Sequence, residues 1–149
     1  MSLVEYKKKR NLKKSGEPKS SKKKISSKIF VIHKHRATHL HWDLRLEMNR
    51  VLKSWAVPKQ PPKSKGTKRL AIQVDDHPLS YANFKGIIPE GNYGAGKVEI
   101  WDNGTYELKE KDSKKIEFTL HGKKLKGNYV LVKTSYGNKP EKSWLLFKV

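Results

Sequence analysis

Residues 38–48, THLHWDLRLEM, alternate polar and apolar side chains almost without interruption. Leu40, Trp42, Leu44, Leu46 and Met48 fall on one parity; His39, His41, Asp43, Arg45 and Glu47 fall on the other. A period of two marks a strand with one buried face. KIFVIHKH precedes this segment, and VLKSWAV follows it across Asn49-Arg50. That spacing predicts a hairpin with a two-residue turn, Asn49 supplying a left-handed conformation. Further on, RLAIQV, KIEFTLHG, KKLKGNYVLVKT and SWLLFKV read as strands, and KVEIWD and TYEL as a second hairpin around Asn103-Gly104. PKQPPKSKGTK reads as a proline-rich basic loop. DDHPLSYANFKGIIPEGNYGAG reads as one irregular stretch of 22 residues between Val74 and Lys97, a length usual for functional or disordered loops. No segment carries a convincing helical period. About eight closely spaced strands predict an all-β, mostly antiparallel fold, a compact and roughly eight-stranded β-barrel.

Composition adds a boundary and a partner class. Residues 1–28 are rich in Lys and Ser and nearly free of large apolar side chains, so they are expected to form a flexible basic arm. Residues 29–149 then form the barrel, a size sufficient for one core. The chain carries a formal net charge of +20, which favours a polyanionic partner, nucleic acid ahead of an anionic membrane surface. There is no cysteine, which excludes a disulfide framework and thiolate metal sites. No apolar run approaches the roughly 20 residues of a membrane helix. The opening MSLVEYKKKR lacks the apolar stretch of a secretory signal. The expectation is a cytoplasmic, nucleoid-associated monomer with no membrane partner.

The polar parity of residues 38–48 raises a chemical question. On a strand, residues i and i+2 project to the same side, about 6.6–7 Å apart at Cα, and can converge on one ion or phosphate. His41 and Asp43 offer nitrogen and oxygen ligands for a divalent metal. His35 is the best candidate for a third, because the short RATH loop can fold it back toward His41. Arg45 has a planar fork suited to phosphate oxygens. Such a set polarises a phosphoryl group and neutralises developing charge. The bland alternative is a strand showing its polar face to water. His33 and His39 need not be ligands. His77 follows a strand and could contact phosphate or donate a proton, with Tyr81 adding a hydroxyl; a turn histidine and a packing tyrosine are the structural alternatives. PEGNYGAGK allows close backbone approach to a ligand but is not a Walker loop.

The segments FVIHKHRATHLHWDLRLEMNRVLKSWAVPKQPP and KRLAIQVDDHPLSYANFKGIIPEGNYGAGKVEIWDNGTY resemble the 3′-phosphoesterase domain of the bacterial DNA ligase D system, which also occurs free-standing in bacteria and archaea. The resemblance runs from about residue 3 to the end, with LVEYKKKRNLKKSGEP similar to the usual opening of the family. It implies a β-barrel with a Mn2+-dependent site; ligand chemistry alone also admits Co2+ or Zn2+. It implies processing of DNA 3′ ends in non-homologous end joining. A phosphodiesterase step removes a terminal ribonucleoside, and a phosphomonoesterase step converts the 3′-phosphate to a 3′-hydroxyl. The implied substrates are primer-template ends bearing a 3′-ribonucleotide or a 3′-phosphate. The implied partners are separate ligase and polymerase proteins. By position, His35, His41 and Asp43 would be metal ligands. Arg45, His77 and Tyr81 would contact the phosphate, completing a catalytic set of six. Arg10 and Glu17 would contribute from the arm. Four positions depart from the family: His33 stands for glutamine, Trp42 for tyrosine, Arg50 for the turn glycine and Asn11 for aspartate. Two rivals remain. A non-catalytic nucleic-acid-binding barrel would need exposed aromatic side chains on a basic face. A structural metal module would lose stability in chelator.

Overall fold

The alternation around Trp42 builds one wall of a closed barrel. The computed structural model describes residues 28–92 and 94–149. The arm, with Arg10, Asn11 and Glu17, falls almost wholly outside the described residues. The strands are β1 (Lys28–Arg36), β2 (Leu40–Met48), β3 (Val51–Val57), β4 (Lys68–Pro78), β5 (Gly86–Ile88), β6 (Gly96–Lys111), β7 (Lys115–His121), β8 (Lys126–Lys133) and β9 (Ser143–Lys148). Their order is β1-β2-β3-β4-β9-β8-β7-β6-β5, and β1 also pairs with β6. That pairing closes an eight-stranded antiparallel barrel, with β5 appended to the edge of β6. Closure removes the exposed edges that an open sheet would present.

Phe30 and Ile32 from β1, Trp42, Leu44, Leu46 and Met48 from β2, and Trp55 and Val57 from β3 enter a single interior cluster. Phe118, Tyr129, Trp144 and Leu146 fill it from the opposite wall. Each fully buried large apolar side chain stabilises the fold by roughly 1.5–3 kcal/mol. The interior tyrosines keep their hydroxyls satisfied. Tyr106 donates to the Glu47 carbonyl at 2.6 Å, and Tyr129 to that of Pro62 at 2.7 Å.

The first hairpin forms as expected. Met48 pairs with Val51, and both turn residues are left-handed, Asn49 at φ 51° and Arg50 at φ 73°. The second expected hairpin does not form. Asn103 and Gly104 lie inside β6, which runs unbroken through them. On one side Asn103 and Gly104 pair with Val31 and Phe30 of β1. The buried Asp102 carboxylate accepts backbone N–H bonds from Asn103, Lys123 and Leu125 at 3.0, 2.8 and 2.9 Å. Barrel closure and this anchor outweigh the local turn preference of Asn-Gly. Gly104 is needed for close approach instead, since a Cβ there would collide with the His121 carbonyl.

The stretch between Val74 and Lys97 is more ordered than expected. β4 continues to Pro78, a single 3-10 turn spans Leu79–Asn83, and β5 follows. Leu79 and Ala82 of that turn pack on Val31 and Leu52 on the outer side of the barrel. The turn therefore roofs the outer face of β1–β4. Among the described residues, no helix is long and apolar enough to cross a membrane.

Candidate active site

The outer parity of β1–β4 is buried rather than open to water. His33, His35, Asp43, Arg45, Glu47 and Ser54 are all buried, and His41 is half-buried. Pairing sets His35 directly opposite His41, His33 opposite Asp43, and Arg45 opposite Ser54. Opposed residues of an antiparallel pair share a face, so these side chains meet. β4 joins through an irregularity. The register shifts between Leu52 and Ser54, which pair with His77 and Val74. The shift reverses parity, so His77 and Val74, three residues apart, face the same cavity. That cavity has a volume of about 230 Å³, and its wall includes His35, His41, Asp43, Arg45, His77 and Tyr81.

Ligand atoms of His35, His41 and Asp43 lie within 4.8 Å of one another. His41 Nε2 is 3.3 Å and His35 Nδ1 is 3.7 Å from Asp43 Oδ2. The other nitrogen of each ring faces a carbonyl: His35 Nε2 that of Ala95 at 3.2 Å, and His41 Nδ1 that of His39 at 3.0 Å. A carbonyl only accepts, so each ring carries its proton there and, when neutral, turns a lone pair toward Asp43. This is the outer-shell support found around metal-binding histidines. Bonds of about 2.1 Å place the ligand atoms of a tetrahedral site about 3.4 Å apart, so the widest pair must close by up to about 1.4 Å to share an ion. The donor set fits a divalent cation.

Arg45 holds the next position along β2. Its Nε donates to His33 Nδ1 at 3.1 Å, and its NH1 to Ser54 Oγ at 2.8 Å. Its NH2 donates to Asp43 Oδ2 at 3.3 Å. His33 Nε2 donates to the Phe84 carbonyl at 3.0 Å, which leaves Nδ1 free to accept from Arg45. His77 Nδ1 stands 3.1 Å from Arg45 NH1 and 3.0 Å from the Asp75 carbonyl; it can accept from the first or donate to the second, not both. Tyr81 packs 5.0 Å from the guanidinium, stacks on Phe84, and leans on the His33 and His77 rings.

These neighbours set the protonation states. Burial, reinforced by Arg45, pulls His33 down to about 4. The same two causes lower His77. Burial opposes ionisation of Asp43, yet the contacts with His35 and His41 and the Arg45 charge hold it well below the usual carboxylate range. The hydrogen bond to Asp43 raises His41. Burial raises the Tyr81 hydroxyl. The site thus combines one permanent cation, one firmly ionised carboxylate and two histidines kept neutral.

Residues 33–133 match the model of the DNA Ligase D 3′-phosphoesterase domain. The chain belongs to this family. It is 43% identical over 154 residues to the multifunctional non-homologous end joining protein LigD of Pseudomonas aeruginosa, covering 98% of this chain and 18% of that protein. It is 42% identical over 139 residues to the LigD non-homologous end joining DNA repair protein of Mycobacterium tuberculosis, covering 89% of this chain and 18% of that one. It is 41% identical over 160 residues to LigD of Mycolicibacterium smegmatis, covering 99% of this chain and 20% of that one. The chain thus spans about a fifth of the length of these curated relatives.

Within the phosphoesterase-domain family, His33 occupies a position where sequence reasoning expected glutamine. The structure shows that the exchange preserves one acceptor for Arg45 and one donor for Phe84. Sequence reasoning missed Ser54. The signal was available: a two-residue turn at 49–50 pairs residues whose numbers sum to 99, and 45 then faces 54. Reasoning from sequence gave His39 at most a spare polar contact, and here it is its carbonyl that orients His41.

Proposed function

We propose that this chain is a metal-dependent phosphoesterase acting on DNA 3′ ends during end joining. It would remove a terminal 3′-ribonucleoside as a diesterase and a 3′-phosphate as a monoesterase. The observation that carries this reading is the convergence of two imidazoles, a carboxylate and a guanidinium on one cavity. Membership of the phosphoesterase-domain family and the net charge of +20 support it.

His35, His41 and Asp43 would hold the cation, with Mn2+ the expected ion. A cation bound there polarises phosphoryl oxygens and lowers the pKa of coordinated water. Arg45 is pinned by His33, Ser54 and Asp43, so its guanidinium meets the non-bridging oxygens without first reorganising. His77 starts neutral, because burial and Arg45 depress it. A phosphate bound against Arg45 offsets that charge and restores proton affinity to His77, which suits it to bind or protonate an ester oxygen. Tyr81 braces both groups. Each step consumes one water. The diester yields a 3′-phosphorylated strand and a free ribonucleoside; the monoester yields a 3′-hydroxyl and inorganic phosphate. The proposed setting is the cytoplasm, with ligase and polymerase activities as partners.

Neither rival gains support from the structure. Trp42, Trp55 and Trp144 are buried in the barrel, and Trp101 is partly buried against the core with Lys63 and Lys124 over its ring, so the tryptophans present no open row of rings for an adaptor. A structural metal module is separated from a catalytic one by experiment: a large fall in Tm in chelator, without any change in DNA 3′-end processing by the reloaded protein, favours the structural role. The test is His41→Ala, assayed on a recessed 3′-phosphate and a 3′-ribonucleotide with added Mn2+. Processing is expected to vanish while salt-sensitive DNA binding persists. Activity that survives the substitution would remove His41 from the site.

A further inference from the structure

Trp101 takes no part in the chemistry above. It is the extra residue of a bulge in β6: Ile100 pairs with His33 and Asp102 with Ile32, which leaves Trp101 with no opposite residue on β1. Its side chain packs against the interior cluster but is only partly buried. Two lysines stand over the ring. Lys124 Nζ lies 4.6 Å and Lys63 Nζ 5.9 Å from its centroid. They come from the β7–β8 turn and the β3–β4 loop. Strands β3 and β7 run in the same sense through the alternating sheet, so both connections emerge at one end of the barrel.

This end is strongly cationic. The loop 58–67 and the turn 122–125 together hold five lysines and no Asp or Glu. Both are fixed by buried side chains. Asp102, 3% exposed, accepts the N–H groups of Lys123 and Leu125 and so holds the turn. The buried Tyr129 hydroxyl donates to the Pro62 carbonyl at 2.7 Å, and Lys148 Nζ to that of Lys63 at 3.3 Å. The backbones that carry Lys63 and Lys124 are thus anchored, while their long side chains are exposed. The basic proline-rich loop, which the catalytic cavity leaves unused, gains a place beside an accessible indole.

An aromatic ring set among fixed cations suits a ligand that carries rings and negative charge together. We propose that Trp101, Lys63 and Lys124 form a second nucleic-acid site, which stacks one unpaired base of a single strand and holds the phosphates on either side of it. Paired bases within a duplex keep their faces covered by their neighbours; an unpaired base offers its own. The incoming base displaces an ammonium group from the indole face, and that lysine swings to a phosphate. An exposed cation–ring contact is weaker than a base–indole stack, and the displaced lysine keeps an anionic partner, so the exchange is favourable. One ring reads one base and is indifferent to its identity. None of the three residues lines the cavity, so the site acts without the metal and stands apart from the phosphoesterase reading.

The test titrates the chain, in chelator, with an oligothymidylate of about eight nucleotides and follows intrinsic fluorescence. Trp42, Trp55 and Trp144 are buried, so quenching reports on Trp101. Saturable quenching is expected. Trp101→Ala should abolish it and weaken binding, read by anisotropy of a labelled strand, about tenfold. Trp101→Phe keeps a ring and should restore most of the affinity. The double variant Lys63→Ala/Lys124→Ala should reduce the slope of log affinity against log salt by about 1.4. Both lysines are exposed, so this variant carries the test by itself if Trp101→Ala fails to fold. Lys109→Ala/Lys111→Ala, on exposed positions at the far end of β6, should leave the slope unchanged. Equal loss of slope in the two double variants, or wild-type affinity in a folded Trp101→Ala, overturns the site. Equal quenching by an oligoglutamate of the same charge also overturns it and assigns the face to acidic protein. Hydrolysis is not read, so failure of the phosphoesterase reading would leave this result standing.

Discussion

Two histidine–carboxylate pairs sit on different strands of this barrel, one bridging β6 and β7 and the other within β2. His121 Nε2 lies 2.8 Å from Glu107 Oε2, with side chains 50% and 45% exposed. His41 Nε2 lies 3.3 Å from Asp43 Oδ2, with side chains 24% and 7% exposed. The closer pair is the less consequential. Glu107 is lowered by His121, but water surrounds both groups. Asp43 is shared by His35, His41 and Arg45 under a roof formed by residues 79–83. Distance alone does not make a site. Burial combined with several converging partners does, because a low-dielectric pocket magnifies each charge contact.

The largest expected difference between the two pairs is catalytic. Asp43→Asn keeps the shape and removes the charge; turnover of a 3′-phosphate duplex with Mn2+ should fall about a thousandfold. Glu107→Gln, in the same steady-state assay, should stay within about twofold. Equal losses would erase the distinction drawn here.

A stability contrast comes next. Arg45→Ala removes the permanent cation beside Asp43 and the donor to His33 and Ser54. It should cost about 3 kcal/mol by urea unfolding in chelator. Lys115→Ala breaks an exposed 3.9 Å contact with Glu117 and should cost no more than about 0.5 kcal/mol.

pH sharpens the comparison further. His33 sits at about 4 in the fold against 6.5 in the unfolded chain. Between those values the unfolded state binds a proton that the folded state refuses, so stability falls as pH drops from 6.5 towards 4. The full loss is about 3 kcal/mol. His41 acts in the opposite sense: its raised value gives stability below the unfolded pKa that is lost as pH rises through the folded one. The wild-type curve therefore mixes both. Subtracting the curve of His33→Gln, which keeps the acceptor and the donor, isolates the His33 slope. His121→Gln should leave the curve within about 0.5 kcal/mol at every pH.

The smallest effect concerns two turns rather than two pairs. Arg50 turns although it lacks the freedom of glycine, holding φ at 73°. Asn103-Gly104 has ideal turn chemistry and does not turn. Arg50→Gly should stabilise the protein by about 1 kcal/mol, read as a rise in Tm.

Much of the barrel is legible in the alternation of its strands. The β1–β2–β3 meander follows from period-two patterning and the two-residue turn, and so does the pairing of Arg45 with Ser54. The gathering of His41, Asp43 and Arg45 on one face follows from parity alone. The entry of His77 does not, because a register shift in β3–β4 reverses the parity on which such counting depends. The false second hairpin failed for a related reason: β6 is held through Asn103-Gly104 by β1 and by Asp102, partners distant in sequence.

The sequence by itself determined which side chains share a strand face, because the backbone pleat repeats every two residues. It also determined the charge that points to a polyanion. Only the tertiary structure decided that one polar face would be roofed and the other left in water. That choice depends on where residues 79–83 pack, and nothing in the local pattern of β2 or β7 encodes it. Burial by a distant segment is what separates a pinned guanidinium and a firmly ionised carboxylate from an ordinary surface ion pair.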